Sequence, residues 1–389
     1  MNVYAGPPRA LTRTTLRLVP LTPIHIGDGT DMRLDEYLLE GDDLCRFDPM
    51  QALRAMSVAQ RQAFQRALDA GNLAEAGRKL REAGRACILE RVPLTKRSRE
   101  ELDQALRNPT ARSGQVKPFI RSGGRPYIPG SSIKGAFRTA LASAALPRDK
   151  LADDRWTHET ALREAFGLDP QRTETDPLRF LHVSDAFLPQ DATLIDKAEV
   201  VKPGGRPATS PGGHGGIQMH YESTYSLIDG EDAPAFEVRL DIDERALSPA
   251  ILARREAGFD AHSALARLRA FHVAVFNAET KRFFEDNSKK TLLRTLLSHS
   301  SPDGRPPLNG NAWDPHFVLL RLGRFGHFES KSLEGVRRGV EEAQPKKEKP
   351  RRIRAPNEWG RTRTVVRDAK GNPIPFGWVI GWVVKEERV

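Results

Sequence analysis

Residues 126–141 read Pro-Tyr-Ile-Pro-Gly-Ser-Ser-Ile-Lys-Gly-Ala-Phe-Arg-Thr-Ala-Leu, and few local folds suit that order. A short apolar arm runs into the Pro129-Gly130 turn, and a helix follows. Ile133, Phe137, Leu141 and Ala144 recur at spacings of four and three and make its apolar face. Lys134 and Arg138 are four apart and share a different face. The first turn of a helix carries unpaired N–H groups and the positive end of the dipole. Gly130, Ser131 and Ser132, set ahead of two cations, therefore suit a phosphate. The spacing is not that of a nucleotide P-loop, so a nucleic-acid backbone is a candidate ligand. The same residues also read as a plain helix start, with Ser131 or Ser132 as the cap and the cations solvated.

The chain has 389 residues, enough for two or three domains with substantial cores. Lys and Arg total 61 against 51 Asp and Glu, a net charge of +10. That balance favours an anionic partner, nucleic acid ahead of membrane, although a basic soluble enzyme carries similar charge. Cys45 and Cys87 have no C-x-x-C spacing, which argues against a disulfide framework or a zinc ribbon. No cofactor is expected. The first residues hold Pro7 and Pro8 and no long apolar core, so no signal peptide is read there. No run of about 18 apolar residues occurs, so no membrane contact is expected and the cytoplasm is the expected location.

Strands are predicted over 11–26, at 36–40 and 44–47 as a hairpin across Gly41-Asp42-Asp43, and in 178–188, ending at Ser184-Asp185. Residues 49–107 are rich in Ala, Leu, Arg, Gln and Glu and read as two or three helices broken near Gly71 and Gly84. A short helix is expected at 158–166. Residues 202–216 (KPGGRPATSPGGHGG) read as a mobile loop. Strands resume at 219–228 and 235–242, and helices at 247–256, 262–276 and 280–299, the 262–276 stretch reading also as helix passing into strand. Residues 316–322 are a buried strand stopped by Gly323, and 345–357 are predicted to be disordered when free. The end is a strand with Gly377 and Gly381 as bulge positions. A β-α-β pattern on each side of 202–216 suggests two related α+β domains.

Four further candidate sites follow. In Arg321-Leu-Gly-Arg-Phe-Gly-His-Phe-Glu-Ser-Lys331, Gly323 and Gly326 permit close backbone approach. Arg321, Arg324, His327 and Lys331 supply charge, and Phe325 and Phe328 are rings on which bases could stack; a hairpin with core phenylalanines is the alternative. His25, ahead of Gly27 at a strand end, suits a general base, a phosphate contact or a structural hydrogen bond. Asp28, Asp31, Asp35 and Glu36 suit a divalent cation or are solvated loop acids. The basic run from Lys346 to Arg367 suits an RNA-backbone arm or a solvated linker.

Taken together, Thr22-Pro-Ile-His-Ile-Gly-Asp-Gly29, Ile128-Pro-Gly-Ser-Ser-Ile-Lys-Gly-Ala-Phe-Arg138, Val183-Ser-Asp185 and Leu322-Gly-Arg-Phe-Gly326 resemble the RAMP superfamily of CRISPR-associated proteins. With Glu36-Tyr-Leu-Leu, Arg46-Phe-Asp-Pro49 and Gly377-Trp-Val379, the chain looks most like the fifth-subunit family of type III-A Csm effector complexes. The resemblance implies an α+β fold of two ferredoxin-like (RRM-related) RAMP domains. These would be residues 1–200 with a helical insertion at 49–110, a flexible loop at 201–216, and residues 217–389 with the glycine-rich loop 321–331. It implies an RNA-binding subunit without chemistry of its own, which holds the crRNA 3′ portion, caps the backbone filament and assists crRNA maturation. Its partners would be crRNA, a nearby target RNA and other Csm subunits. His25, Gly27, Gly130, Ser131, Ser132, Lys134, Arg138, Arg321, Gly323, Arg324, Gly326 and Lys331 would be the RNA contacts. Asp31 and Asp35 do not match the slicing aspartate of the backbone subunit, so no catalytic role carries over. The rival functions are a RAMP endoribonuclease, acting through Asp31, Asp35 or His25, and a scaffold that touches only protein.

Overall fold

The computed structural model describes residues 11–109, 114–146, 158–169, 171–172, 175–208, 219–230, 233–243, 261–284, 286–333, 339–341, 352–354 and 360–389. The strand Leu11–Pro20 sits inside a five-stranded antiparallel sheet. Across that sheet the order is Phe317–Arg321, Trp378–Arg388, Leu11–Pro20, Phe236–Asp243, Leu181–Val183. Two helices, Gly130–Ala145 and Ala261–Phe283, pack against each other and supply buried residues to the same core as the sheet. In chain order the elements run strand 11–20, helix 130–145, strands 181–183 and 236–243, helix 261–283, strand 378–388. This is one ferredoxin-like β-α-β-β-α-β cycle, with 317–321 added at the edge.

The reason lies in the strand patterns. Along 236–243 burial alternates, with Phe236, Val238, Leu240 and Ile242 inward and Glu237 and Arg239 outward. The 130–145 helix buries Ile133, Phe137 and Leu141 of the face its spacing predicts, while Ala144 of that face is exposed. Trp378, Trp382, Phe317 and Leu18 fill the centre.

A second five-stranded sheet has the order Pro373–Pro375, Arg363–Arg367, Thr193–Val201, Met219–Thr224, Val116–Lys117. Both sheets draw strands from both sides of residues 201–216, so the expected boundary there does not separate two units. The physical reason is that the 11–20 strand needs partners on both edges, and 236–243 and 378–388 provide them.

Smaller differences have local causes. Residues 202–208 fold back as a turn, with Lys202 N–H donating to Arg206 O (2.7 Å) and Ala208 N–H to Val200 O (2.9 Å). The rest of that predicted loop lies outside the described residues, as do the predicted 247–256 helix and most of 345–357. Within the last, Arg352–Arg354 pairs with Gly339–Glu341 as a short strand. The helical block 49–107 contains Pro49–Ala55, Val58–Asp69, Leu73–Gly84 and Lys96–Arg107, and also a strand, Ile88–Pro93. That strand extends the expected hairpin of Tyr37–Glu40 and Asp43–Phe47. Residues 261–283 are helix throughout. Gly381 is regularly paired with Leu18; the register shift in the 378–388 strand falls opposite Thr15 and Leu16. Among the described residues no helix is long and apolar enough to cross a membrane.

Candidate nucleic-acid interface

Three segments singled out in the sequence meet beside the first sheet, one of them residues 24–27, which lie beyond the strand Leu11–Pro20 although the pattern predicts a strand to 26. Gly27 bridges to Phe119, Ile120 N–H donates to Ile26 O (2.8 Å), and Tyr127 N–H donates to Ile120 O (3.3 Å). The 24–27 segment is thereby linked to the arm Arg125–Ile128 that leads into the 130–145 helix. On its other side Arg324 N–H donates to His25 O (2.9 Å). The short helix His327–Lys331 then packs on the 130–145 helix.

The glycines serve contacts within the chain. Gly323 has φ +84, and a Cβ there would lie 2.4 Å from His25 O. Gly377 has φ +89, and its Cβ would lie 2.3 Å from Leu322 O. Both conformations favour glycine, so the loop at 321–326 is glycine-bearing because its own neighbours are so close. Gly326 faces only the flexible stem of Lys331, and Gly27 faces His25 Nε2.

His25 is buried, 1% exposed. Its Nδ1–H donates to Glu222 O at 2.7 Å, and Phe119, Tyr221 and Phe325 surround the ring. Burial pushes its imidazole down to about 4, opposed by the hydrogen bond to Glu222 and reinforced by Arg324 and Lys117. The imidazole is therefore neutral near pH 7. His25 is a core residue here, without the access a phosphate contact or general base requires. Glu222, which carries no signal in the sequence, organises the region. Its buried carboxylate accepts from Phe119 N–H (2.8 Å), Thr193 Oγ1 (2.6 Å) and Arg121.

Arg321 is likewise inside. Its Nη1 lies 2.6 Å from Glu279 Oε1, its Nε donates to Phe376 O, and the guanidinium lies 4.9 Å from the Trp378 ring centroid. Arg363 Nε reaches the same carboxylate oxygen at 2.6 Å, and Trp378 Nε1 donates to the other at 2.8 Å. Burial opposes the charge on Glu279, but the two guanidiniums hold its carboxyl below the ordinary value. The predicted RNA contact at Arg321 is corrected to a buried ion cluster, because the side chain is buried and its Nη1 and Nε are already directed at Glu279 and Phe376. Arg363 and Arg367, which fall in the predicted basic arm, lie in a strand and pair with Glu279, Glu329 and Glu199. Phe325 packs on Tyr221, His25 and Phe376, so the predicted base-stacking ring is turned inward. Phe328 is half-buried.

At the helix start the N-cap is Pro129, and Asp185 Oδ1 accepts from Gly130 N–H at 2.7 Å. A carboxylate thus occupies the seat proposed for phosphate. Ser131 and Ser132 are not the caps; Ser131 is exposed and Ser132 N–H donates to Pro129 O (3.0 Å). Arg138 pairs with Asp176 and lies 5.7 Å from the Phe166 ring centroid. Lys134 is half-buried and has no ion pair among the described residues; burial lowers its pKa while Asp176 raises it. Arg324 is exposed, with no ion pair among the described residues, and Lys331 Nζ donates to Arg324 O (3.1 Å).

The acidic loop is spoken for. Asp28 accepts from Thr30 N–H (2.8 Å), Asp31 pairs with Lys117, Asp35 lies 3.6 Å from Arg33, and Glu36 accepts from Arg33 N–H (2.7 Å).

No curated relative matches the sequence. The structure is similar to a chain of a Csm–crRNA–target RNA ternary complex of a type III-A CRISPR-Cas system, at TM-score 0.59 and 19% identity. That likeness covers 95% of this chain and 100% of the other. It is also similar to the crystal structure of T. onnurineus Csm5, at TM-score 0.53 and 16% identity over 94% and 99% of the two chains. Both likenesses establish the fold. Residues 17–297 match the RAMP superfamily family model. That span holds the helix start at Gly130 and most of the ferredoxin-like cycle, lacking only part of its first strand and its last strand, and the chain belongs to the RAMP superfamily.

Proposed function

We propose that this chain is an RNA-binding subunit of a type III-A Csm effector complex. In this reading it holds the 3′ portion of the crRNA, caps the backbone filament and assists crRNA maturation, without chemistry of its own. The observation that carries it is the placement of Lys134 and Arg324. These cations have no ion pair among the described residues and lie in two segments that the fold brings together, on a chain of net charge +10. Cations not held in an ion pair suit the phosphates of a backbone, which position an RNA without reading its sequence. The full-length likeness to a chain of a Csm–crRNA–target RNA complex supports the choice of complex. Its partners would be crRNA, a nearby target RNA and the other subunits, in the cytoplasm.

Three measurements test this. Replacing Lys134 and Arg324 together by alanine should reduce the slope of log affinity against log salt by roughly 0.7 per lost contact on single-stranded RNA. An unchanged slope defeats the phosphate contacts. Crosslinks from the assembled complex should map to the 3′ portion of the guide, and crosslinks repeated along the guide would indicate a filament subunit instead. Magnesium-dependent cleavage abolished by Asp31→Ala would establish the endoribonuclease reading.

A further inference from the structure

Beside the 130–145 helix start lies an exposed aromatic surface. The arm Arg125–Ile128 pairs antiparallel with Ala186–Phe187, placing Tyr127 opposite Phe187 and Ile128 opposite Ala186. Alternation turns Ile128 and Ala186 into the core, leaves Arg125 and Phe187 exposed, and leaves Tyr127 half-buried on the same outer face. Phe187 is 49% exposed. Its ring centroid is 5.8 Å from that of Tyr127, with the planes at 37°. Arg125 Cζ lies 5.3 Å from the Phe187 centroid, and its Nη2 donates to Leu188 O at 3.4 Å. Arg125 has no ion pair among the described residues.

We infer that Arg125, Tyr127 and Phe187 form a stacking platform for one base of a single-stranded RNA. The inference rests on the RNA-binding reading above and adds a contact that reading does not contain. Aromatic faces and planar guanidiniums are what unpaired bases stack on, and every base has a π-face to offer. A ring this exposed has no role in the core, and an arginine without a carboxylate favours an anionic partner over an apolar protein surface. The platform also has a fixed relation to the free cation. Asp185, two residues before Phe187, holds the Gly130 N–H, and Lys134 follows one turn into that helix.

The test uses the full chain and a fluorescent single-stranded oligouridylate. Phe187→Ala should weaken binding about fivefold to a hundredfold and leave the salt slope unchanged, because a ring and no cation is removed. Phe187→Tyr should retain wild-type affinity, and a thermal unfolding midpoint of Phe187→Ala equal to wild type excludes misfolding as the cause. Lys134→Ala should lower the slope. If Phe187→Ala binds like wild type while Lys134→Ala lowers the slope, the platform is overturned and the RNA-binding reading stands. If the wild-type chain does not bind the probe, both fall. If Phe187→Ala loses only the association with other subunits, the surface is a protein interface and the inference is wrong.

Discussion

At the residue scale, the arginines of one loop separate by depth. Arg321 and Arg324 are three positions apart, and sequence alone gives them the same role. In the fold, Arg321 shares Glu279 with Arg363, and Arg324 stands in solvent. Removing one partner of a buried ion cluster leaves the others uncompensated, at a cost of about 3–5 kcal/mol. Arg321→Ala and Glu279→Ala should each show a loss of that order in urea unfolding. Arg324→Ala should stay within about 0.5 kcal/mol of wild type, as surface changes do, and affect only RNA affinity and its salt dependence. Equal stability losses for Arg321→Ala and Arg324→Ala would show that the cluster does not carry this weight. Glu279 is illegible in the sequence because its partners stand far along the chain, at Arg321, Arg363 and Trp378. Nothing in a helix pattern marks one glutamate as buried.

At the element scale, the apolar spacing of the 130–145 helix predicts its buried face, and the local residues do not predict its cap. The cap comes from Asp185, in a segment whose pattern suggests a strand ending at Ser184-Asp185. That segment is two short strands, Leu181–Val183 and Ala186–Phe187, which belong to different sheets with Ser184-Asp185 as the corner. A cap supplied from 55 residues away leaves no local signature. Asp185→Ala should cost about 0.5–2 kcal/mol, the usual range for losing an N-terminal cap. Two glycines of the same helix give a sharper contrast. A Cβ on Gly130 would lie 2.2 Å from Val183 O, whereas one on Gly135 meets nothing within 4 Å. Gly130→Ala should therefore lower the melting temperature. Gly135→Ala should raise stability by up to about 1 kcal/mol through helix propensity. Thermal unfolding of the two variants decides the matter, and a shift in the same direction for both would contradict the packing.

At the scale of the whole molecule, closure of the first sheet ties both ends of the chain together. The 11–20 strand is paired on one side by 236–243 and on the other by 378–388. The alternating strands and the two long helices are legible from pattern. Their pairing order is not, since it depends on contacts between segments more than two hundred residues apart, such as Leu18 with Phe236. Such a molecule should lose its parts together in acid, and the buried histidines set where. Burial lowers His25 and His220 to about 4, and His272 and His327 to about 3, from an ordinary 6.5. In the unfolded chain these imidazoles take up protons as the pH falls through 6.5, while in the folded chain they resist until about 4 or 3. Their contribution is thus full above pH 6.5 and is lost progressively below it, by about 1.4 kcal/mol per histidine for each pH unit traversed before the folded imidazole itself takes up a proton. Glu279 acts in a lower window, because its depressed carboxyl keeps its contribution until the pH falls below the ordinary 4.5. Stability measured by urea unfolding should therefore already decline between pH 6.5 and 5, before the Glu279 carboxylate is protonated. His220, which faces Glu101, Lys197, Arg97 and Ser98, is the histidine to vary. His220→Asn should flatten that decline, and an unchanged slope between pH 6.5 and 5 would remove His220 from the account.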